Sequence, residues 1–460
     1  MKRLFSLVFV TGLCQFAPFA AVPSYGQAGV STAAVGMARA GLPPSAAMVV
    51  VEEYMNYHRH DIPLPTKGNR VQLDLRWGNA GRGEAVVQVG LATPRIVNTR
   101  KMPPLNLALV IDHSGSMSGE RIANVKQALL AFVGKLRDGD VVSIIGFNQE
   151  ASVLLAPTER SNLDQIHQVI ETISAGGSTN MHAGLMLGYQ QALEHFDKRK
   201  TNRVILLTDG IANTGVTAPE QIVADSLRFN ERGVDLSTIG LGHDLNHDLL
   251  RQLAKSGKGL IHFVGDSKDI QKTFIDELDS LLAPAARRVR VEIQYEKQLD
   301  LAHLYGYEPR FDGRRILVDL DNLNHGATQV ILARFKVPKR DGFSVTARLS
   351  YHDIVSGEDV TQEKTTKVKR GKKDDEALLA GAELRKNVTI AELATGIKRM
   401  AVALEQKKYE EALGAISGPL TVAKDHYCSL DDPDVKRVYK IAKKYRDRIS
   451  DYHRESGKKR

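Results

Sequence analysis

The sequence predicts an α/β fold in which a doubly wound, mostly parallel sheet is inserted in a β-sandwich and followed by a C-terminal helical region. Three observations predict this fold. Short apolar runs alternate with helix-period segments over residues 104–283, which is typical of buried parallel strands joined by helices. Strand-like alternation occurs on both sides of that stretch, in residues 49–103 and 284–371. Residues 372–460 show helical periodicity and a basic composition.

The apolar runs of the central stretch define the expected sheet. They cover residues 105–111, 141–147, 204–207, 236–241 and 260–264. Between the first two runs, apolar residues recur three and four positions apart, which predicts an amphipathic helix. They are Ile122, Val125, Leu129, Val133 and Leu136. Strands separated by helices in this way build a sheet with helices on both faces.

The flanking segments predict a second sheet structure and a helical end. Strands are expected at residues 289–295, 316–320, 329–335 and 343–351, with polar turns between them. The strands expected within residues 70–91 would complete this sandwich, which makes the α/β unit an insertion. Helices are expected over residues 377–393, 394–405, 409–416 and 435–452.

Composition excludes several classes of protein. The chain has 460 residues, of which 42% are hydrophobic and 25% charged, as in soluble globular proteins. The net charge is +9, and residues 361–460 hold 24 Lys and Arg against 16 Asp and Glu. The basicity therefore belongs to the tail, and we expect no nucleic-acid partner. A solvated helical face, a contact with an anionic surface and a nucleic-acid contact remain open for this tail.

The N-terminus predicts export. Residues 1–28 combine two basic residues, a short apolar run over residues 4–13 and small residues at the end, which is typical of a signal peptide. We therefore expect a periplasmic or extracellular protein. Residues 29–48 are rich in Ala, Gly and Ser and predict a linker. After cleavage Cys428 is the one cysteine left, so no intrachain disulfide is expected.

Oxygen-bearing side chains follow two of the expected strands and precede one helix. Asp112, Ser114 and Ser116 follow the first strand, and Asp209 follows the strand that begins at residue 204. Thr179 lies in a Gly-rich loop before a helix. Ligands of open parallel sheets bind outside the carboxyl ends of the strands, so we expect these side chains to converge. Ser and Asp also cap helices, and Ser116 or Ser118 could do so here.

This pattern of Asp-x-Ser-x-Ser, then Thr, then Asp resembles the metal-ion-dependent adhesion site of the von Willebrand factor type A (VWA) family. The resemblance covers about residues 104–282 and implies a Rossmann-like fold. Flanking residues 51–57 and 304–310 resemble bacterial exported VWA proteins related to calcium-activated chloride channel subunits and inter-alpha-trypsin inhibitor heavy chains.

The resemblance also implies roles for the five residues. Ser114, Ser116 and Thr179 would coordinate the ion directly, and Asp112 and Asp209 would act largely through water and hydroxyl groups. Oxygen ligands suit Mg²⁺, with Mn²⁺ and Ca²⁺ as alternatives. Neutral hydroxyl ligands do not neutralise the positive charge of the ion. The expected function is a binding module whose ion captures a Glu or Asp of a partner protein.

Other residues are weaker candidates. His113, Asn180, His243 and Asp244 are expected on the rim of the partner-binding site, although His113 is expected to pack and Asn246 to cap a helix. Two histidines, His58 and His60, have the spacing of a metal pair on a strand. They lack an evident carboxylate or cysteine partner and are expected on the surface.

Alternative functions remain open. Zinc-helix, phosphate-loop and nucleophile-elbow motifs are missing from the sequence, so we expect no enzyme, and a hydrolase with an unrecognised site is the least favoured alternative. A second alternative is an envelope or channel-associated structural subunit without metal exchange. Association with a membrane surface or a membrane protein is compatible with both binding hypotheses.

Overall fold

A computed structural model describes residues 44–457 except positions 67, 82, 95–102, 243–244, 265–270, 272–274, 276–283, 340–341, 371–380 and 428–429. The predicted signal peptide, most of the predicted linker and Cys428 lie outside the described residues. The prediction that the linker extends to residue 48 is wrong. Ala46–Met48 forms a 3₁₀ turn, and Met48 is buried in the same apolar core as Val110 and Leu206 of the central sheet. Burial of this apolar side chain fixes the segment.

The central sheet confirms the predicted doubly wound α/β fold. Over the described residues it has six strands in the order β5-β4-β3-β6-β7-β8, all parallel except the edge strand β5. The order reverses between β3 and β6, which is the switch point where ligands of such sheets bind. The strands are β3 (Leu105–Asp112), β4 (Val141–Phe147), β5 (Ala151–Glu159), β6 (Thr201–Thr208), β7 (Asp235–Leu241) and β8 (Lys258–Val264).

Helices cover both faces of this sheet. Their bounds are α2 (Glu120–Val133), α3 (Leu163–Thr172), α4 (Met181–Glu194), α5 (Pro219–Asn230) and α6 (His247–Ser256). Helices α2 and α3 share one apolar core with the sheet, and α4, α5 and α6 share another. The predicted stripe of α2 is confirmed, since Val125, Leu129 and Val133 are buried.

Two antiparallel sheets form the predicted sandwich around a common core. One has the order β1-β2-β13-β10 and the other β11-β12-β9-β14-β15. Strand β2 precedes the α/β unit and pairs along its length with β13, which follows it. The α/β unit is therefore an insertion. The strands are β1 (Gln72–Gly81), β2 (Glu84–Ala92), β9 (Pro284–Tyr295), β10 (Asp300–Leu304), β11 (Arg310–Asp312), β12 (Arg315–Asn324), β13 (Thr328–Lys336), β14 (Phe343–Asp353) and β15 (Asp359–Val368).

The C-terminal region is helical as predicted, but its helices are longer. They are α7 (Ala382–Glu405), α8 (Tyr409–His426) and α9 (Pro433–Gly457), and a short helix α1 (Val51–Met55) packs on them. The predicted break between residues 393 and 394 is wrong. The helix runs through this point. Gly396 within it allows close packing of α8, because a Cβ there would lie 2.9 Å from Cγ of Pro419 and 3.0 Å from the Ala415 carbonyl oxygen. Among the described residues, no helix has both the length and the apolar character needed to span a bilayer.

The segment that holds His58 and His60 corrects another prediction. Both side chains are buried, with 7% and 2% of their surface exposed, so their predicted surface position is wrong. They lie between the sandwich and the first turns of α7: the ring of His58 contacts Asn387 and that of His60 contacts Glu383. More than 320 residues separate the histidines from these partners in the chain, so the sequence pattern does not reveal the contacts.

Packing between α4 and β3 generates a testable prediction. A Cβ at Gly188 would lie 2.2 Å from Cγ2 of Val110, so Gly188→Ala should lower the free energy of unfolding by about 1–3 kcal/mol. Gly414 of α8 is the matched control, because nothing lies within 4 Å of its Cβ position. Gly414→Ala should raise stability by about 0.5–1 kcal/mol. Urea unfolding followed by circular dichroism measures both effects, and equal effects of the two variants would contradict this packing.

Candidate functional site

The candidate site lies where β3 and β6 end side by side. Strand β3 ends at Asp112, and a 3₁₀ turn over Gly115–Met117 follows it. Strand β6 ends at Thr208, directly before Asp209. These strands are parallel neighbours, with Ile111 opposite Leu207. The polar residues that follow them therefore emerge at one edge of the sheet, at the switch point.

Main-chain hydrogen bonds join the Gly-rich loop to the loop after β3. The Gly115 amide donates to the Gly177 carbonyl at 2.9 Å, and the Gly176 amide donates to the His113 carbonyl at 2.8 Å. Gly177 has a φ of +83°, a conformation that favours glycine. These main-chain hydrogen bonds fix the two loops against each other without the help of a ligand.

Four of the five predicted site residues form one continuous set of hydrogen bonds. Asp112 Oδ1 accepts from the Ser114 amide at 2.9 Å. The hydroxyl oxygens of Ser114 and Ser116 lie 3.2 Å apart, and the Ser116 hydroxyl donates to Asp209 Oδ1 at 2.7 Å. Residues 93 positions apart in the chain are thereby brought into direct contact.

The fifth residue, Thr179, lies at the same edge. It is buried, and its Oγ1 lies 3.7 Å from the position that a Cβ at Gly210 would occupy. Its backbone is held on both sides by Asn213: the Thr179 amide donates to Asn213 Oδ1 at 2.9 Å, and its carbonyl accepts from the Asn213 amide at 3.1 Å. The hydroxyl of Thr179 therefore borders the loop that carries Asp209.

Two carboxylates are buried in this cluster. Burial raises the pKa of Asp112, and hydrogen bonds from the Thr208 hydroxyl and from Ser114 oppose that rise. The Thr208 hydroxyl donates to Asp112 Oδ2 at 2.6 Å. The side chain of Asp209 has no exposed surface and pairs with Nη1 of Arg121 at 2.5 Å. Uncharged hydroxyls and one guanidinium thus surround two acidic groups.

The sequence motif does not include three of the residues that organise this cluster. Arg121 lies in the first turn of α2, where its charge follows no recognisable pattern. Thr208 precedes Asp209 and occupies the last position of β6, just beyond the apolar run over residues 204–207. Asn213 lies beyond the motif. A search for polar residues at strand ends would have found Thr208, but the contacts of Arg121 and Asn213 depend on loop geometry.

The predicted rim residues have different environments. His113 Nδ1 lies 2.9 Å from the Ser174 carbonyl, and its ring borders Gly146, so it packs as expected. Asn180 caps α4 by accepting from the Ala183 amide at 3.2 Å. His243 and Asp244 lie outside the described residues. The predicted cap of α6 is confirmed, because Asn246 Oδ1 accepts from the Leu249 amide at 3.0 Å.

Helix capping does not account for the serines after β3. The N-cap of α2 is Gly119, which has no side chain to bond with the helix. Ser116 bonds to Asp209, and the Ser118 hydroxyl donates to the Gly115 carbonyl at 2.7 Å. The carboxyl edge of the sheet therefore combines three hydroxyls and two carboxylates, which is a donor set suited to a hard cation.

Comparison with known proteins agrees with this geometry. Residues 106–276 match the family model of the von Willebrand factor type A domain. The uncharacterized protein YfbK of Escherichia coli is 32% identical over 268 residues, which are 55% of this chain and 46% of that protein. The inter-alpha-trypsin inhibitor heavy chain H3 of Mesocricetus auratus is 29% identical over 243 residues, which are 49% of this chain and 27% of that protein.

A solved structure supports the fold over a larger part of the chain. The von Willebrand factor type A protein from Catenulispora acidiphila covers 79% of this chain and 88% of its own, with a TM-score of 0.56 and 15% identity. The chain spans less than half the length of the two curated relatives above. Residues 106–276 of this chain therefore form a von Willebrand factor type A domain, as the resemblance of its loop residues indicated.

Proposed function

We propose that Asp112, Ser114, Ser116, Thr179 and Asp209 hold a divalent metal ion that captures an acidic side chain of a partner protein. VWA domains are commonly protein-interaction and adhesion modules, and they often bind a divalent metal. One observation carries the proposal: the Ser116 hydroxyl joins Ser114 of the first loop to the buried Asp209 of another. This gathering of oxygen ligands requires an explanation beyond packing.

The donor set fits a hard cation. Mg²⁺ takes oxygen ligands in near-octahedral geometry and keeps part of its water, so we favour it, with Mn²⁺ and Ca²⁺ as alternatives. Asp112 and Asp209 each accept a hydrogen bond from a hydroxyl, of Thr208 and Ser116 respectively. These bonds support a role for both carboxylates through hydroxyl groups and water. A bound ion would supply the positive charge that attracts a carboxylate of the partner.

The proposed activity is binding without catalysis, outside the cytoplasm. The export part of the proposal depends on the signal-like residues 1–28. One observation favours the alternative of a structural subunit that does not exchange metal. Arg121 already pairs with Asp209, and an internal guanidinium could balance this carboxylate without an ion. The dependence of stability and of partner capture on Mg²⁺ distinguishes the two functions.

Metal binding should stabilise the domain. Millimolar Mg²⁺ should raise the melting temperature of the full chain, since a ligand at 100 times its Kd contributes about 2.7 kcal/mol. Asp112→Asn and Asp209→Asn should abolish this response to Mg²⁺. Asp197→Asn is the matched control, because Asp197 is partly exposed and lies beside the start of β6 at the opposite edge. A response that persists in both site variants would contradict the assignment.

Partner capture should depend on the metal and on carboxylates. The immobilised chain should retain proteins of the cell-envelope fraction in Mg²⁺ and release them in EDTA. Conversion of the carboxylates of the extract to amides should abolish retention, and Asp112→Asn should do the same on the bait. Retention that is equal in Mg²⁺ and EDTA would support the structural subunit instead.

Arg121 should weaken metal binding. Its guanidinium competes for Asp209, and its side chain is 44% exposed, so solvent screens the interaction. Arg121→Gln should therefore tighten Mg²⁺ binding only modestly, by roughly two- to fivefold, as expected for a screened charge pair. Isothermal titration calorimetry measures the change. Weaker binding in Arg121→Gln would show that Arg121 mainly orients Asp209.

A further inference from the structure

A second cluster of metal-ligating side chains lies far from the VWA loops. His58 and His60 belong to the segment after α1, and Glu383 belongs to the first turn of α7. One ligand atom from each of these residues lies within 4.8 Å of the other two. Both histidines are buried, and the side chain of Glu383 is 14% exposed. The cluster joins the sandwich to the C-terminal helices.

The Nε2 atoms of both imidazoles face side-chain amide oxygens. His58 Nε2 lies 3.1 Å from Asn387 Oδ1, and His60 Nε2 lies 3.1 Å from Asn56 Oδ1. Metal-binding histidines characteristically donate their second ring N–H to such an acceptor, which fixes the tautomer and the orientation of the ring. Both rings therefore have the support that a metal ligand requires.

The orientation of the Asn56 amide is determined by its neighbours. Asn56 Oδ1 accepts from the Val330 amide at 2.7 Å, and Asn56 Nδ2 donates to the Glu52 carbonyl at 3.0 Å. The oxygen of Asn56 therefore faces His60, so His60 Nε2 must carry the proton. In a neutral ring this leaves Nδ1 of His60 with a lone pair.

Both Nδ1 atoms then need a positive neighbour. Nδ1 of His60 lies 3.1 Å from Glu383 Oε1, and a lone pair facing a carboxylate oxygen is repulsive. Nδ1 of His58 is buried and has no hydrogen-bond partner among the described residues. A buried polar atom without a partner is costly. The Nε2 atoms face amide oxygens, so we assign Nδ1 of each histidine as the ligand atom. A metal ion held by these atoms would satisfy His58, His60 and Glu383 together, whereas a proton on His60 would leave Nδ1 of His58 unsatisfied.

Charge near the cluster also favours a cation. Lys386 Nζ lies 3.5 Å from Glu383 Oε2, 3.5 Å from Asp434 Oδ2 and 4.0 Å from Asp432 Oδ2. One ammonium thus faces three carboxylates.

We propose that His58, His60 and Glu383 form a binding site for a transition-metal ion, with Zn²⁺ as the preferred occupant. Two imidazoles and one carboxylate are a common ligand set for Zn²⁺, with bonds of about 2.0–2.2 Å, and they leave a position for water. Tetrahedral ligand atoms are then about 3.3 Å apart, and the three atoms here lie within 4.8 Å of one another, so metal binding would draw them closer together. The ion links α7 to a segment more than 320 residues earlier.

Cobalt spectroscopy tests the site directly. The full chain is stripped with EDTA and titrated with Co²⁺. We expect one equivalent to give visible d–d bands of low-symmetry nitrogen coordination, which Zn²⁺ displaces and excess Mg²⁺ does not. Glu383→Gln and His58→Phe should abolish the bands. The control Asp209→Asn, which alters the VWA loops, should keep them.

The histidine NMR signals provide a second test that needs no variant. On addition of one equivalent of Zn²⁺, the Nδ1 resonances of His58 and His60 should shift together while both Nε2 protons persist. Doubly protonated His60 in slow exchange, with no Zn²⁺ response, would show an imidazolium–carboxylate pair and overturn the proposal. Absence of Co²⁺ bands in the wild-type chain, or their loss in Asp209→Asn alone, would also overturn it.

Discussion

The parallel pairing of β3 with β6 is the constraint on which the candidate site depends. It places the ends of two strands, nearly a hundred residues apart in the chain, side by side at one edge of the sheet. Asp112 and Asp209 are buried there, and burial of a carboxylate is costly unless it is hydrogen-bonded. The hydroxyl of Thr208 crosses from β6 to Asp112, and that of Ser116 crosses from the β3 loop to Asp209. The sheet and its loops therefore prepare the acidic cluster in advance of any ligand.

The sandwich is attached at the opposite edge of the same sheet. Arg287 of β9 donates to the hydroxyl of Thr201, the first residue of β6, at 3.2 Å. Asn322 of β12 donates to the carbonyl of Lys258, the first residue of β8, at 3.2 Å. These contacts occupy the amino ends of parallel strands, whereas the candidate site occupies their carboxyl ends. In this arrangement the sandwich anchors the domain and leaves the site edge directed away from it.

Local sequence patterns predicted the strands and helices whose positions are set by interactions within a short stretch of the chain. The apolar runs predicted the parallel strands, and the helical stripe predicted α2, because burial of one face produces a fixed period. The five candidate site residues could be selected because each follows a strand or precedes a helix in a recognisable motif. Arg121 and the partners of His58 and His60 could not be found, because their roles come from contacts between distant segments. The close packing of α8 against Gly396 of α7 is likewise a contact between separate segments that no local pattern reveals.

The two ligand clusters differ in the chemistry of their donor atoms, so they suit different metal ions. Hydroxyl and carboxylate oxygens suit Mg²⁺ and Ca²⁺, whereas imidazole suits Zn²⁺ and its neighbours in the transition series. The oxygen cluster lies on loops at an open edge, where an ion can contact another molecule. The imidazole cluster is buried between segments of the same chain, where an ion can only hold them together. Under the two proposals, a hard cation would serve recognition and Zn²⁺ would serve stability, and Mg²⁺ would not displace Zn²⁺ from imidazole ligands.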